Sequence, residues 1–99
     1  MLDERHFSMM TGGDRALQCE VAALFRGQAE AWRGALTEDA AGAWREAAHR
    51  LKGSARGIGF WTLAEACEAA EQAASGEAGS RLETVRNLLA AALDDLRGY

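Results

Sequence analysis

Proline is absent from all 99 residues of this chain. Proline breaks helix interiors by removing a donor and clashing with the preceding turn, so its absence permits long helices without demanding them. The rest of the composition uses that freedom. Alanine recurs throughout, and β-branched residues are confined to Val21, Ile58, Val85 and a few threonines. Apolar residues return in steps of three and four, which is the spacing of a helix face.

Four long helical segments can be traced on this spacing. Thr11-Gly-Gly-Asp14 opens the first, whose apolar positions are Leu17, Val21, Leu24, Phe25 and Trp32. Thr37, followed by Glu38 and Asp39, is read as a cap with acids suited to the positive end of a second helix. The second stripe is Trp44, Ala48, Leu51, Ala55 and Ile58, and Gly57 and Gly59 mark its end. Thr62-x-x-Glu65 and Ser80-x-x-Glu83 have the form of capping boxes for the third and fourth helices. The third stripe is Leu63, Cys67, Ala70 and Ala74; the fourth is Leu82, Val85, Leu89, Ala92 and Leu96. Residues 75–79 (SGEAG) read as the loop between them. Leu2 to Met10 allow a short extra helix with Leu2, Phe7 and Met10 on one side.

A chain of this length forms one domain, residues 1–99, with a modest core. Short connections favour antiparallel neighbours, so the expected fold is all-α: an antiparallel up-down-up-down four-helix bundle with a short N-terminal helix as an optional addition. The competing arrangement is a helical hairpin that dimerises into a bundle; a chain holding four helices favours a monomer. The net charge of -4 without a basic tail argues against nucleic acid as a partner. Cys19 and Cys67 fall among apolar positions with no second Cys or His at ligand spacing, so free thiols are expected. No signal segment and no apolar run of membrane length is present, which makes the cytoplasm the default location.

One short stretch departs from this bland pattern. In "HRLKGSARGIG", residues 49–59, one of only two histidines stands one turn before a glycine. Glycine inside a helix costs about 1 kcal/mol relative to alanine. On a helical wheel Arg45, Lys52, Gly53 and Arg56 all fall within roughly 60° of His49. His49 itself lies to the side of the core stripe. Lys52 is expected to be exposed with it. Three cations and one missing side chain therefore surround an imidazole that faces outward. Gly53 leaves the ring open to an approaching partner, and Lys52, Arg56 and Arg45 offer charge-assisted donors to an anion held there. A neutral imidazole is a competent nucleophile near pH 7. Such a site suits acceptance of a phosphoryl group.

The stretch "AAHRLKGSARGIGFWTLAEACEAAE" resembles the core of a histidine-containing phosphotransfer (HPt) domain. The matching positions are His49, Leu51, Lys52, Gly53, Ser54, Ala55, Gly59, Leu63, Cys67 and Glu71. The opening "LDERHFSMMTGGDRALQCEVAALF" resembles the start of that family more loosely. A sensor-kinase dimerisation helix fits less well, because Arg50 follows His49 and the chain lacks proline.

The resemblance implies a relay. His49 would carry the phosphoryl group, taken from the phospho-aspartate of one receiver domain and passed to the aspartate of another, in response regulators or hybrid histidine kinases. It implies a carrier without kinase activity of its own, with no cofactor on this chain and Mg2+ held by the receiver. The residues agree with this, since neither a Gly-rich phosphate loop nor a carboxylate cluster suited to Mg2+ is evident. The resemblance also implies an acceptor on the next helix for the second ring nitrogen. Without a gap that position is Glu71, with Glu68 one turn earlier as the fallback and a solvated acid as the plain reading.

Other residues carry plainer expectations. His6 is expected at the surface without a partner. Trp44 and Trp61 suit packing, while Phe60-Trp61, Phe7 and Met10 could instead join a partner surface. Glu77, Asp94 and Asp95 are expected to be solvated. The alternative function is a non-phosphorylated helical adaptor that binds and inhibits a signalling partner; intact His49, Lys52 and Gly53 argue against it. A hydrolase using His49 as general base lacks a nucleophile and an oxyanion site.

Overall fold

The computed structural model describes residues 1–39, 42–74 and 76–99. Among these, the elements are α1 (Glu4–Met10), α2 (Arg15–Ala35), α3 (Ala43–Ile58), α4 (Trp61–Glu71) and α5 (Ala78–Asp95), with no strand. Helices α2 to α5 form the antiparallel bundle. α3 packs on α2 and α4, and α5 packs on α4 and closes the ring against α2. The result is a rod of 43 × 20 × 18 Å. No described helix is long and apolar enough to cross a membrane.

The stripes expected on α3 and α5 are buried in full. On α5 the pattern runs one turn further back, to Ala78, so packing starts this helix before Ser80. Ser80 therefore lies inside the helix, where its carbonyl accepts from Thr84 Oγ1, and the expected capping box does not form. α4 likewise begins one residue before Thr62. Buried Phe60 anchors its start, and no side chain caps it. α3 begins at Ala43 rather than after Thr37; Gly42, in the left-handed region at φ +70°, precedes it, with its N–H donated to Asp39 Oδ1. In α4 and α5 burial of an apolar anchor sets the start ahead of the cap signal, whereas in α3 the turn at Gly42 delays the start beyond Thr37. Part of the expected loop at 75–79 falls at Ser75, outside the described residues, and Ala78 and Gly79 belong to α5. At the end of α4, Ala73 rather than Ala74 is buried, because the helical period stops at Glu71.

α2 differs most from expectation. Its core residues are Ala22, Phe25 and Ala29, with Val21 and Trp32 partly buried, whereas Leu24 is 67% exposed and Leu17 also faces solvent. In the seam Ala22 and Ala29 stand one turn to either side of Phe25. Phe25 then fills the space against Phe60 and Trp32, each ring 5.5 Å away. The larger leucines are left on the flank.

α1 is present and closes one end of the bundle. Asp3 caps it by accepting from His6 N–H. Leu2 and Phe7 join the core, and Phe7 meets the Tyr99 ring edge-on at 5.1 Å. The Leu2 N–H donates to Asp95, which is therefore bonded rather than merely solvated. Asp3 N–H donates to the Gly59 carbonyl, and Trp61 Nε1 donates to Asp3 Oδ2 at 2.8 Å. Gly59 caps α3 at φ +110°, and a Cβ there would sit 3.1–3.3 Å from His6 and Asp3. Only glycine meets both demands without strain. His6 is half-buried and bonded to the Gly57 carbonyl, so the expectation of a partnerless surface histidine does not hold. Phe7 and Phe60 are core, while Met10 and Trp61 remain exposed. Both cysteines are free; Cys67 is buried, and burial pushes its thiol up to about 12.

Candidate functional site

His49 sits midway along α3 with its side chain 65% exposed. α4 runs back alongside, and its last residue is Glu71. The two meet directly: His49 Nδ1 lies 2.9 Å from Glu71 Oε2. The other oxygen, Oε1, accepts from Lys52 Nζ at 2.8 Å. One carboxylate thus spans two side chains that are one helical turn apart on α3.

The protonation pattern follows from these contacts. The Lys52 ammonium, and then the His49 ring, hold the Glu71 carboxyl below the usual carboxylate range. An ionised carboxylate only accepts hydrogen bonds, so Nδ1 must carry the proton it shares with Oε2. In the neutral ring the lone pair is then on Nε2. Among the described residues Nε2 has no hydrogen-bond partner. The fold leaves that nitrogen open to solvent.

The remaining cations are arranged differently from the wheel picture. Lys52 is not exposed; its side chain is 13% accessible and tied down on Glu71. Lysine stems bury readily while the head keeps a partner, and Glu71 supplies that partner here. Arg56 points to Glu68 at 3.7 Å, so Glu68 belongs to that pair and not to the imidazole. Arg45 donates to the carbonyls of Glu71 and Ala73. The structure thus brings His49, Lys52 and Glu71 side chains together, sets Arg45 on the backbone of Glu71 and Ala73, and turns Arg56 to Glu68. Gly53 is exposed, and a Cβ on it would meet nothing within 4 Å. Packing within the chain gives no reason for this glycine.

Sequence reasoning missed most of an apolar surface formed between α2 and the second half of α3. Leu24, Val21 and Met10 line an open depression of about 230 Å³ bordered by Ser54, Gly57 and Ile58 of α3. The spacing of Val21 and Leu24 signalled an apolar line on α2, and that line was assigned to the core, whereas Met10 of α1 was already a candidate for a partner surface. The clue available in the sequence was that Ala22 and Ala29 offer a second, smaller line.

The Hpt domain family model matches residues 16–99, and the chain belongs to the Hpt domain family. Among solved structures it is similar to histidine phosphotransferase ShpA from Caulobacter crescentus, with 40% sequence identity and a TM-score of 0.82. The match covers 99% of this chain and 88% of that one. No curated protein sequence matches.

Proposed function

We propose that this chain is a phosphoryl carrier of a two-component phosphorelay, with His49 Nε2 as the acceptor atom. The observation that carries this reading is the pairing of an occupied Nδ1 with an open, exposed Nε2. The Nε2 lone pair attacks the phosphorus of an aspartyl phosphate on a receiver domain. The N–P bond forms as the P–O bond to the aspartate breaks, and the aspartate leaves as a carboxylate. Positive charge develops on the imidazole during attack. Glu71, already ionised, stabilises it through Nδ1–H and fixes the ring's orientation. Lys52 holds Glu71 and places a cation on the same side of α3. The reverse reaction delivers the group to a second receiver. In this reading the Mg2+ belongs to the receiver, and the chain has no kinase activity of its own.

The receiver docks over bare backbone. Gly53 and Gly57 are both exposed, one turn apart, and neither Cβ position is occupied by a neighbour. The apolar depression formed by Leu24, Val21 and Met10 is bordered by Gly57 and offers area to the same partner. A chain that encloses its own four-helix core supports a monomeric carrier.

Incubation with a phosphorylated receiver domain tests the reading. Acid-labile, base-stable phosphate should appear on the chain and be absent from His49→Gln. Labelling of H49Q at the parental level would overturn the assignment of the acceptor.

A further inference from the structure

Arg45 lies on α3 one turn before His49, yet its guanidinium reaches to the end of α4. One arm, Nη1, donates to the Glu71 carbonyl at 2.6 Å, and the other, Nη2, donates to the Ala73 carbonyl at 3.1 Å. The guanidinium lies over the ring of buried Trp44, 4.3 Å from its centroid. The last carbonyls of a helix have no donors of their own. α4 carries no basic residue in its last turn to offset its negative end. Arg45 supplies both needs from the neighbouring helix, as a planar fork already stacked in place.

The residue it grips is the one that matters for His49. Glu71 ends α4, and helix ends fray. Its side chain must nonetheless present one oxygen to Nδ1 and the other to Lys52. Two charge-assisted bonds, on the carbonyl of Glu71 and two residues beyond it, fix the direction in which that side chain leaves the helix. We propose that Arg45 is a positioning residue of the phosphotransfer site, clamping the end of α4 so that Glu71 is held against Nδ1 of His49. This rests on the reading of His49 as phosphoacceptor.

The test uses the full chain, with phosphoramidate as a small-molecule phosphoryl donor, so that no receiver contact is involved. Nitrogen-15 spectra of the His49 ring report the fraction of the Nδ1–H tautomer. Arg45→Ala should lower that fraction and slow phosphorylation by about five- to tenfold, the size expected from one lost orienting hydrogen bond. Glu71→Ala should do the same, and the double variant should be no slower than E71A alone. Arg45→Lys, which keeps the charge but loses the fork, should fall between R45A and the parent and covers the case in which R45A folds poorly. A parental tautomer fraction and rate in folded R45A or R45K would overturn the proposal. So would R45A and E71A effects that multiply, since Arg45 would then act independently of Glu71. Failure of the acceptor reading is seen separately, as phosphorylation of H49Q.

Discussion

The two histidines of this chain both bear on α3, and they use opposite ring nitrogens. His6 reaches over from α1, gives Nε2–H to the Gly57 carbonyl at 3.0 Å, and sets its ring edge-on to Trp61. His49 grows from α3 itself, gives Nδ1–H to Glu71, and leaves Nε2 to solvent. The same side chain is a clamp in one place and leaves a ring nitrogen open in the other. What separates them is which nitrogen the fold occupies and how far the ring is covered.

The sharpest way to break this contrast is to remove each ring in turn. His49→Gln should abolish phosphate uptake and change stability by no more than about 0.5 kcal/mol, as expected for a surface position. His6→Ala should keep the parental uptake rate and lose about 1–2 kcal/mol, for one hydrogen bond and one aromatic edge contact. Label transfer and urea unfolding on the same samples check both. Loss of uptake in H6A with the fold intact would erase the distinction.

Lys52→Ala sharpens the His49 side. Transfer should slow by about ten- to one-hundred-fold if its charge-assisted bonding matters mainly in the transition state. Because the Lys52 ammonium is tied to Glu71 and largely covered, a stability cost of about 1 kcal/mol should accompany the slowing. Single-turnover transfer and a thermal melt measure the two effects. An unchanged rate would reduce Lys52 to a structural partner of Glu71.

The glycines repeat the comparison on the backbone. Gly59→Ala, at φ +110° and against α1, should cost about 2–3 kcal/mol. Gly53→Ala, in open helix, should instead gain about 0.5–1 kcal/mol. Urea melts measure both, and a loss of stability in G53A as large as that in G59A would place Gly53 under strain as well.

Acid should weaken both regions. Glu71 is held low first by Lys52 and then by His49, and Asp3 first by the Trp61 indole N–H. Since these folded-state values are depressed, the stabilisation is complete above the unfolded carboxylate values of about 3.9–4.3 and is lost as pH falls through the folded ones. Glu71→Gln and Asp3→Asn should each flatten the fall in melting temperature between pH 5 and pH 3. A fall identical to the parent's in both variants would remove these contacts from the account.

Legibility in the sequence followed the number of answers each pattern allowed. α5 offered a single unbroken apolar line, and the helix buries all of it. α2 offered two lines, and the larger side chains of Leu17 and Leu24 drew the assignment away from Ala22 and Ala29. Capping boxes at Thr62 and Ser80 were misleading because Phe60 and Ala78 set the helix starts by burial. At the site, angular spacing put Arg45, Lys52 and Arg56 on the His49 side of α3, but their charged heads turn to α4. Glu71 was reachable through the family resemblance. The burial of Lys52 and the grip of Arg45 on the end of α4 were not readable, since both depend on where α4 stops relative to α3.

In the proposed relay Glu71 occupies Nδ1 of His49 and Nε2 takes the phosphoryl group. Long-range proton–nitrogen correlation spectra of the phosphorylated, nitrogen-15-labelled chain locate the phosphoryl group by atom. The expected product carries an N–P bond at Nε2 of His49, with Nδ1 still protonated and His6 unmodified. Phosphate on Nδ1 of His49, or on His6, would contradict it.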